Sequence, residues 1–360
     1  TSAGYSWEQK LFKFLISLGF KQNEYEVTLF TQDNIRILVW VDDILIRATP
    51  EKSNEFQKNL EREFGDSKYQ TLQYVLGMSI ITSQDNYLGV HSEIYINKMI
   101  SNTKMQTAKP RHTPLPADAQ FRKISNADTD ENVKKEFQSI LGQLNYLATW
   151  SRPDLAYTCS ALGTVASAPT REHLTYAKHA IAYVKTYPLL GLQWSNDTDH
   201  NNILEVFSDA SFANERNYKS QSGFVAILNN APIHWYSRKQ PFPALSSTES
   251  EIMAACTALR QTLYLKRLLD SLDFKQGLIK FHLDAQNAIR FFVNPKQSER
   301  NIHIGVRYHR IRYHINKDIE LQFISSVHMK ADGLTKSQRL DNFRRMVKQL
   351  LHVFKGTQIQ

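Results

Sequence analysis

The sequence predicts an α+β chain: a unit of helices and a hairpin, an all-α middle segment, and a mixed β-sheet flanked by helices. Three observations predict it. Residues 7–64 mix helical spacing with strand-like runs, residues 137–184 repeat apolar side chains at helical spacing, and beyond Pro188 short strands surround one long helix. A length of 360 residues with 42% apolar content is enough to bury a core in two or three domains.

Trp7–Leu18 is amphipathic and stops at Gly19, and strand-like runs follow at Val27–Phe30 and Ile35–Ile46. Glu51–Phe64 alternates charged and apolar residues at helical spacing. Tyr74–Ile81 and Tyr87–Val90 then read as a strand pair that closes the first unit near residue 90. Three prolines between Lys109 and Pro116 mark a nonhelical connector, and the polar run Asn126–Lys135 reads as an exposed loop at a domain border. Phe137, Ile140, Leu141, Leu144 and Leu147 share one helical face, as do Leu174, Ala177, Ile181 and Val184. Next come strands at Leu204–Phe207, Gly223–Leu228 and Ile233–Tyr236 and a helix from about Glu249 to Leu269. A strand at Ile279–Leu283, helices around Gln286 and Val306 and a strand at Leu321–Ile324 complete a mixed sheet. The expected domains are 1–90, 91–188 and 189–340, with 341–360 as a carboxy-terminal helix or tail. No internal repeat or low-complexity tract interrupts this order.

The excess of 44 Lys plus Arg over 35 Asp plus Glu leaves a net charge of +9, which favours an anionic partner such as nucleic acid or a membrane surface. The longest apolar run, Ile37–Ile46, is broken by Asp42 and Asp43, so no stretch reaches the roughly 20 apolar residues that span a bilayer. Cys159 and Cys256 are too few for a disulfide framework or a structural zinc site, and their helix-like apolar surroundings predict inert core residues. A chain that starts at Thr1 without a signal segment is expected to be a processed or truncated polypeptide of a reducing compartment.

Four acids occupy positions from which side chains converge. Asp209 and Asp284 each follow a strand, Glu249 opens the long helix, and Asp332 follows the last strand in Ala331-Asp-Gly-Leu-Thr-Lys336. Such a cluster repels itself unless cations hold it. Two divalent ions roughly 3.5 to 4 Å apart would do so, one activating water and the other stabilising the leaving oxygen of a phosphodiester cleavage. Hard oxygen ligands select Mg²⁺ or Mn²⁺. Singly, each acid has a plain structural explanation at a strand end, turn or first helical turn, and only the joint arrangement is informative. Thr248-Glu-Ser-Glu251 has the spacing of a capping box, which gives Glu251 a structural job and leaves Glu249 as the preferred ligand. Asp42-Asp43 must sit at a turn, because buried carboxylates are costly. Either it is a surface hairpin or it is a metal-binding pair of the kind a polymerase uses.

Trp40-Val-Asp-Asp43 resembles the Tyr-x-Asp-Asp box of reverse transcriptases, with Trp at the usual Tyr position, and Leu76-Gly77 resembles the primer-gripping hairpin that follows it. Ser139–Ala148 and Ser151-Arg-Pro-Asp154 resemble the thumb of copia-type LTR retrotransposon Pol polyproteins. Phe207–Ala210, Ala244–Glu249 and Ala331–Lys336 resemble their ribonuclease H. By that resemblance the chain is a partial palm with hairpin and helix, a helical thumb and a ribonuclease H-like mixed sheet. Asp209, Glu249, Asp284 and Asp332 are then the catalytic acids and ligands of two Mg²⁺ or Mn²⁺ ions, and Asp42 and Asp43 two of three polymerase carboxylates. Only 39 residues precede Trp40. The resemblance therefore implies that the fingers and the third aspartate lie outside this chain, which alone is not expected to polymerise DNA. Ala285 stands where the family usually has Asn, and Ile302-His-Ile-Gly305 replaces Lys-His-Ile-Asp, so support around the metals is altered.

His303 and His309 are candidates for easing product release. Arg307, Arg310, Arg312 and Lys317 in one helix, with Lys98, Lys104, Lys109 and Arg111 near the thumb, are candidates for phosphate contacts; the plain alternative is a solvated face. The expected function is hydrolysis of the RNA strand of RNA–DNA hybrids by a retrotransposon reverse transcriptase/ribonuclease H fragment. The alternative is a noncatalytic nucleic-acid-binding subunit or a relic of a retroelement, for which the departures argue. Expected partners are an RNA–DNA hybrid or other nucleic acid and a full-length Pol subunit or a second copy of the chain, with no membrane. The expected location is the cytoplasm, in a virus-like particle, or the nucleus.

Overall fold

A computed structural model of the chain describes residues 2–65, 67–82, 87–121, 130–195, 202–213, 218–294 and 305–355. These form two compact units, one of residues 1–73 and 264–275 and one of 74–263 and 276–360. Among the described residues no helix is long and apolar enough to cross a membrane.

In the first unit, α1 (Ser2–Ser17) starts earlier than the expected Trp7 and ends ahead of Gly19, whose φ of +90° lets the chain reverse. Four strands, β1 (Lys21–Gln22), β2 (Leu29–Gln32), β3 (Ile35–Trp40) and β4 (Asp43–Arg47), form an antiparallel sheet in that order. The helix α2 (Pro50–Phe64) follows, capped by the Thr49 side chain with Pro50 in its first turn. Leu11 and Leu15 of α1, Phe30, Ile37 and Val39 of the sheet and Phe56 of α2 make the core. The apolar run Ile35–Ile46 is two strands folded at Val41-Asp42, with Trp40 opposite Asp43. Val41 takes a φ of +53°, a conformation β-branched residues rarely adopt, and its carbonyl accepts from Trp7 Nε1 at 3.2 Å.

The second unit begins with β5 (Tyr74–Val75), β6 (Met78–Thr82) and β7 (Tyr87–His91), then α3 (Glu93–Asn102), α4 (Glu131–Trp150), α5 (Ala156–Gly163), α6 (Arg171–Thr186) and β8 (Leu190–Ser195). The strand pair expected to close the first unit belongs here: β7 pairs with β8, which comes from beyond the helices. Gly191 permits that approach, since a Cβ there would stand 2.1 Å from the Val90 carbonyl. Glu131–Lys135, expected as exposed loop, are instead the start of α4, because the Asp130 carboxylate accepts from the Asn132 and Val133 amides and caps the helix. Their charge marks the wet side of a helix whose Val133 and Phe137 face inward.

The chain continues as β9 (Leu204–Ser211), β10 (Gln221–Leu228), β11 (Ala231–Lys239), α7 (Ser247–Ser271), β12 (Ile279–Leu283), α8 (Gln286–Val293), α9 (Gly305–His314), β13 (Ile319–Phe323), α10 (Leu340–Leu350) and β14 (His352–Val353). Five of these strands form a sheet in the order β11-β10-β9-β12-β13, antiparallel through β9 and parallel thereafter, the expected mixed sheet. On one face Phe207 and Trp235 flank Val225 and pack into the core of α3 to α6 and α10. Ser208, Phe224 and Tyr236 alternate onto the other face. The separate strand β14 pairs with β8.

A buried ion pair fastens the helical layer. Arg152, between α4 and α5, is 0% exposed and grips Asp154 through Nε at 2.9 Å and Nη2 at 2.7 Å, while Tyr183 of α6 donates to the same carboxylate at 2.6 Å. Burial is the largest single effect and disfavours the guanidinium charge, but the charges and hydrogen bonds of Asp154 and Tyr183 together outweigh it and hold the pKa above the ordinary value. The remaining Arg152 Nη1 donates to the Tyr187 carbonyl at 3.0 Å, so the carboxy-terminal end of α6 is tied to this pair twice. Replacing Arg152 by Met leaves Asp154 charged and stranded, and is expected to cost about 3 to 5 kcal/mol in urea unfolding. A loss of under about 1 kcal/mol would show that this pair does not fasten the layer.

Candidate metal centre

Parallel pairing sets two acids level. His282 of β12 stands beside Phe207 of β9, so Asp209 and Asp284, each two residues further on, emerge at the same end of neighbouring strands. Glu251, in the second turn of α7, reaches the same corner. The carboxylate oxygens of Asp209, Glu251 and Asp284 lie within 4.8 Å of one another. Asp209 and Glu251 are buried and Asp284 is half-buried.

The expected ligand Glu249 is not in this group. The sequence Ser246-Ser-Thr-Glu-Ser-Glu251 contains two overlapping capping patterns, Ser246 with Glu249 and Thr248 with Glu251. Because α7 begins at Ser247, the first is used: the Ser246 hydroxyl accepts from the Glu249 amide at 3.1 Å and the Glu249 carboxylate accepts from the Leu245 amide at 2.6 Å. Glu249 therefore does the structural job assigned to Glu251, and Glu251, about half a turn on, faces the acids.

The three acids fit a hard cation. Oε2 of Glu251 is buried and has no hydrogen-bond partner, and Asp209 and Asp284 offer further oxygens beside it. Burial first, and the Asp284 charge second, push the Asp209 carboxyl up to about 7. Burial, then Asp209 and Asp284, push Glu251 up to about 9, against one stabilising bond from the Ala210 amide. Two hydroxyls orient the others, Thr335 donating to Asp209 at 2.8 Å and Ser326 to Asp284 at 2.9 Å.

Asp332 stands at the margin. Its charge is felt by Asp209, but Lys336 lies 2.5 Å from one oxygen and Gln338 donates to the other at 2.6 Å. The turn that carries Asp332, Gly333, Thr335 and Lys336 can sit against the sheet because Gly223 lies opposite Asp209. A Cβ at Gly223 would meet the Ala331 carbonyl and Thr335 Cγ2, both at 2.8 Å. Thr335, Lys336 and Gly223 had no role at the sequence level, although the first two lie in the quoted Ala331–Lys336 segment.

The other sequence candidates are dispersed. Asp42 and Asp43 are exposed at the β3–β4 hairpin, and among the described residues no third metal-ligating side chain joins them. His303 and the side chain of Arg307 lie outside the described residues. His309 and Arg310 are exposed on α9, Arg312 is half-buried, and the exposed Lys317 sits 4.2 Å over the Tyr313 ring. Lys98, Lys104, Lys109 and Arg111 are exposed along and beyond α3. Cys159 is a buried core residue, whereas Cys256 is only half-buried and lines a cleft.

Residues 1–117 match the family model described as reverse transcriptase (RNA-dependent DNA polymerase). The chain is 29% identical over 341 residues to the Retrovirus-related Pol polyprotein from transposon RE1 of Arabidopsis thaliana, covering 92% of this chain and 23% of that protein. It is 30% identical over 318 residues to the corresponding polyprotein of transposon TNT 1-94 of Nicotiana tabacum, covering 85% and 24%. The chain is a relative of copia-type Pol polyproteins. This Pol relative spans about a quarter of the length of these two polyproteins. Among solved structures it resembles LC11-RNase H1 in complex with RNA/DNA hybrid, at 14% identity and a TM-score of 0.29, covering 37% of this chain and 93% of that one.

Two outcomes follow for this Pol relative. Carboxyls held above their ordinary pKa give their full stability at pH below about 4, and that stability is lost as the pH rises through about 7 and about 9. The metal-free melting temperature should therefore fall from about pH 5 to pH 9, and Mg²⁺ or Mn²⁺ should raise it more at about pH 8 than at pH 5.5; equal responses at both would count against a cation site. Gly223→Ala should destabilise by roughly 1 to 3 kcal/mol through overpacking and weaken that cation response; calorimetry with and without the ion checks both.

Proposed function

We propose that the chain hydrolyses the RNA strand of RNA–DNA hybrids at the corner formed by Asp209, Glu251 and Asp284, with Mg²⁺ or Mn²⁺ as its cofactor. The observation that carries this is the convergence of three carboxylates, two of them buried, with an unpartnered Glu251 oxygen among them. Relatedness to Pol polyproteins supplies the substrate class, a nucleic acid met during reverse transcription.

Bound divalent ions would supply an activated water and charge stabilisation at the scissile phosphate. The residues of the chain do the rest. Thr335, Ser326 and the Ala210 amide hold the three carboxylates in fixed orientations, so little reorganisation accompanies binding. Lys336, exposed and tethered by Asp332, places a positive charge at the edge of the site where a phosphate would arrive. Asp332 acts through that tether, and the resemblance adds it as a fourth ligand.

Gel analysis of a labelled hybrid incubated with the protein and Mg²⁺ tests the proposal. Glu251→Gln and Asp209→Asn are each expected to lower cleavage by about 100-fold or more, whereas Glu249→Gln, which loses a helix cap worth about 1 kcal/mol, should stay within a few-fold of the parent. Cleavage that survives Glu251→Gln but not Glu249→Gln would overturn the assignment.

A further inference from the structure

The edge strand β11 separates two grooves in the second unit, neither of which touches the metal centre. One, of about 430 Å³, is lined by Arg238 and Lys239 at the end of β11, Arg260 and Cys256 of α7, and Arg310 of α9. The other, of about 590 Å³, is lined by Trp150, Trp194, Trp235 and the polar edges of His234 and Asn145. Tyr236 and Arg238 line both, so the two are continuous around the strand.

Two features of this surface point to a ligand. Among the described residues neither lining contains a carboxylate, and Arg238, Arg260 and Arg310 line the smaller groove together. The Arg238 guanidinium lies 5.0 Å over the Tyr236 ring, and Arg260 lines the same groove. Independently, three buried polar atoms along the grooves have no hydrogen-bond partner: Trp194 Nε1, His234 Nε2 and the Tyr236 hydroxyl. Tyr236 is only 5% exposed, and leaving its hydroxyl unpaired costs free energy that a ligand oxygen would recover.

From the cations on one side of β11 and the tryptophans on the other, we propose that this surface binds a single-stranded stretch of nucleic acid, phosphates on Arg238, Arg260 and Arg310 and bases along the tryptophan groove. Cationic tracking of a backbone beside aromatic platforms is how proteins hold unpaired strands without reading sequence. The inference rests on the nucleic-acid substrate proposed above, but not on cleavage. It gives the chain a second contact, away from the acids, suited to the unpaired strand that adjoins a hybrid.

The test is fluorescence anisotropy of labelled oligothymidylate with the whole chain in metal-free buffer, with cleavage of a short blunt hybrid in Mg²⁺ measured in parallel. Arg238→Ala with Arg260→Ala should weaken oligothymidylate binding about tenfold and reduce the slope of log affinity against log salt by roughly 1.4, about 0.7 for each lost phosphate contact. Arg238→Lys with Arg260→Lys should restore the slope, and Tyr236→Phe should weaken binding several-fold while leaving the melting temperature unchanged or raised. Cleavage of the blunt hybrid should change little in all of them. Unchanged affinity and slope in the double alanine variant, or no binding of oligothymidylate by the parent, would overturn the proposal. A parent that binds through these arginines but leaves hybrid RNA intact would overturn the nuclease assignment alone.

Discussion

Mutual repulsion among Asp209, Glu251 and Asp284 is the constraint around which the second unit is arranged. Carboxylates this close and this dry would disperse or protonate if their backbones allowed it. Three devices prevent dispersal. Parallel pairing of β9 and β12 makes two of the acids neighbours, the rigid start of α7 delivers the third, and a turn seated on Gly223 brings Thr335 to hold Asp209 in place. Each device is part of the hydrogen-bonded framework, so the acids cannot relax without unpairing a strand or unwinding a helix turn.

The strength of that framework comes from the opposite side of the sheet. Phe207, Val225 and Ile227 continue directly into the helical core of α3 to α6, where the side chains of Arg152 and Asp154 are fully buried. Helices α3 to α6 and the five-stranded sheet of β9 to β13 therefore share one apolar interior. A domain border at residue 188 has no counterpart in this packing.

Asp284 was legible because β12 ends just before it, whereas Asp209, expected to follow its strand, lies inside β9, which runs on to Ser211; parallel pairing with β12 sets the two acids level. Glu251 was not, because two capping patterns overlap by two residues and sequence spacing alone does not say where α7 begins; the first hydrogen-bonded turn decides it. The apolar helical faces, Phe137 to Leu147 and Leu174 to Val184, were read from spacing and are buried as expected. Pairing of distant strands was invisible for a different reason. Nothing local in Tyr87–Val90 announces that its partner is Leu192, beyond four helices, and Gly191 shows its meaning only when the Val90 carbonyl is beside it.

The sheet in the order β14-β8-β7-β6-β5 draws its strands from three widely separated segments, residues 74–91, 190–195 and 352–353. Loop closures of that span are entropically slow, and no early portion of the polypeptide can complete the sheet by itself. During synthesis β5 to β7 must wait for β8, and β8 must wait for residues close to the end, with exposed strand edges meanwhile open to wrong partners. The assembly time of this unit is thus tied to emergence of its last helix and strand from the ribosome, and a nascent chain paused before Leu340 would be vulnerable to aggregation.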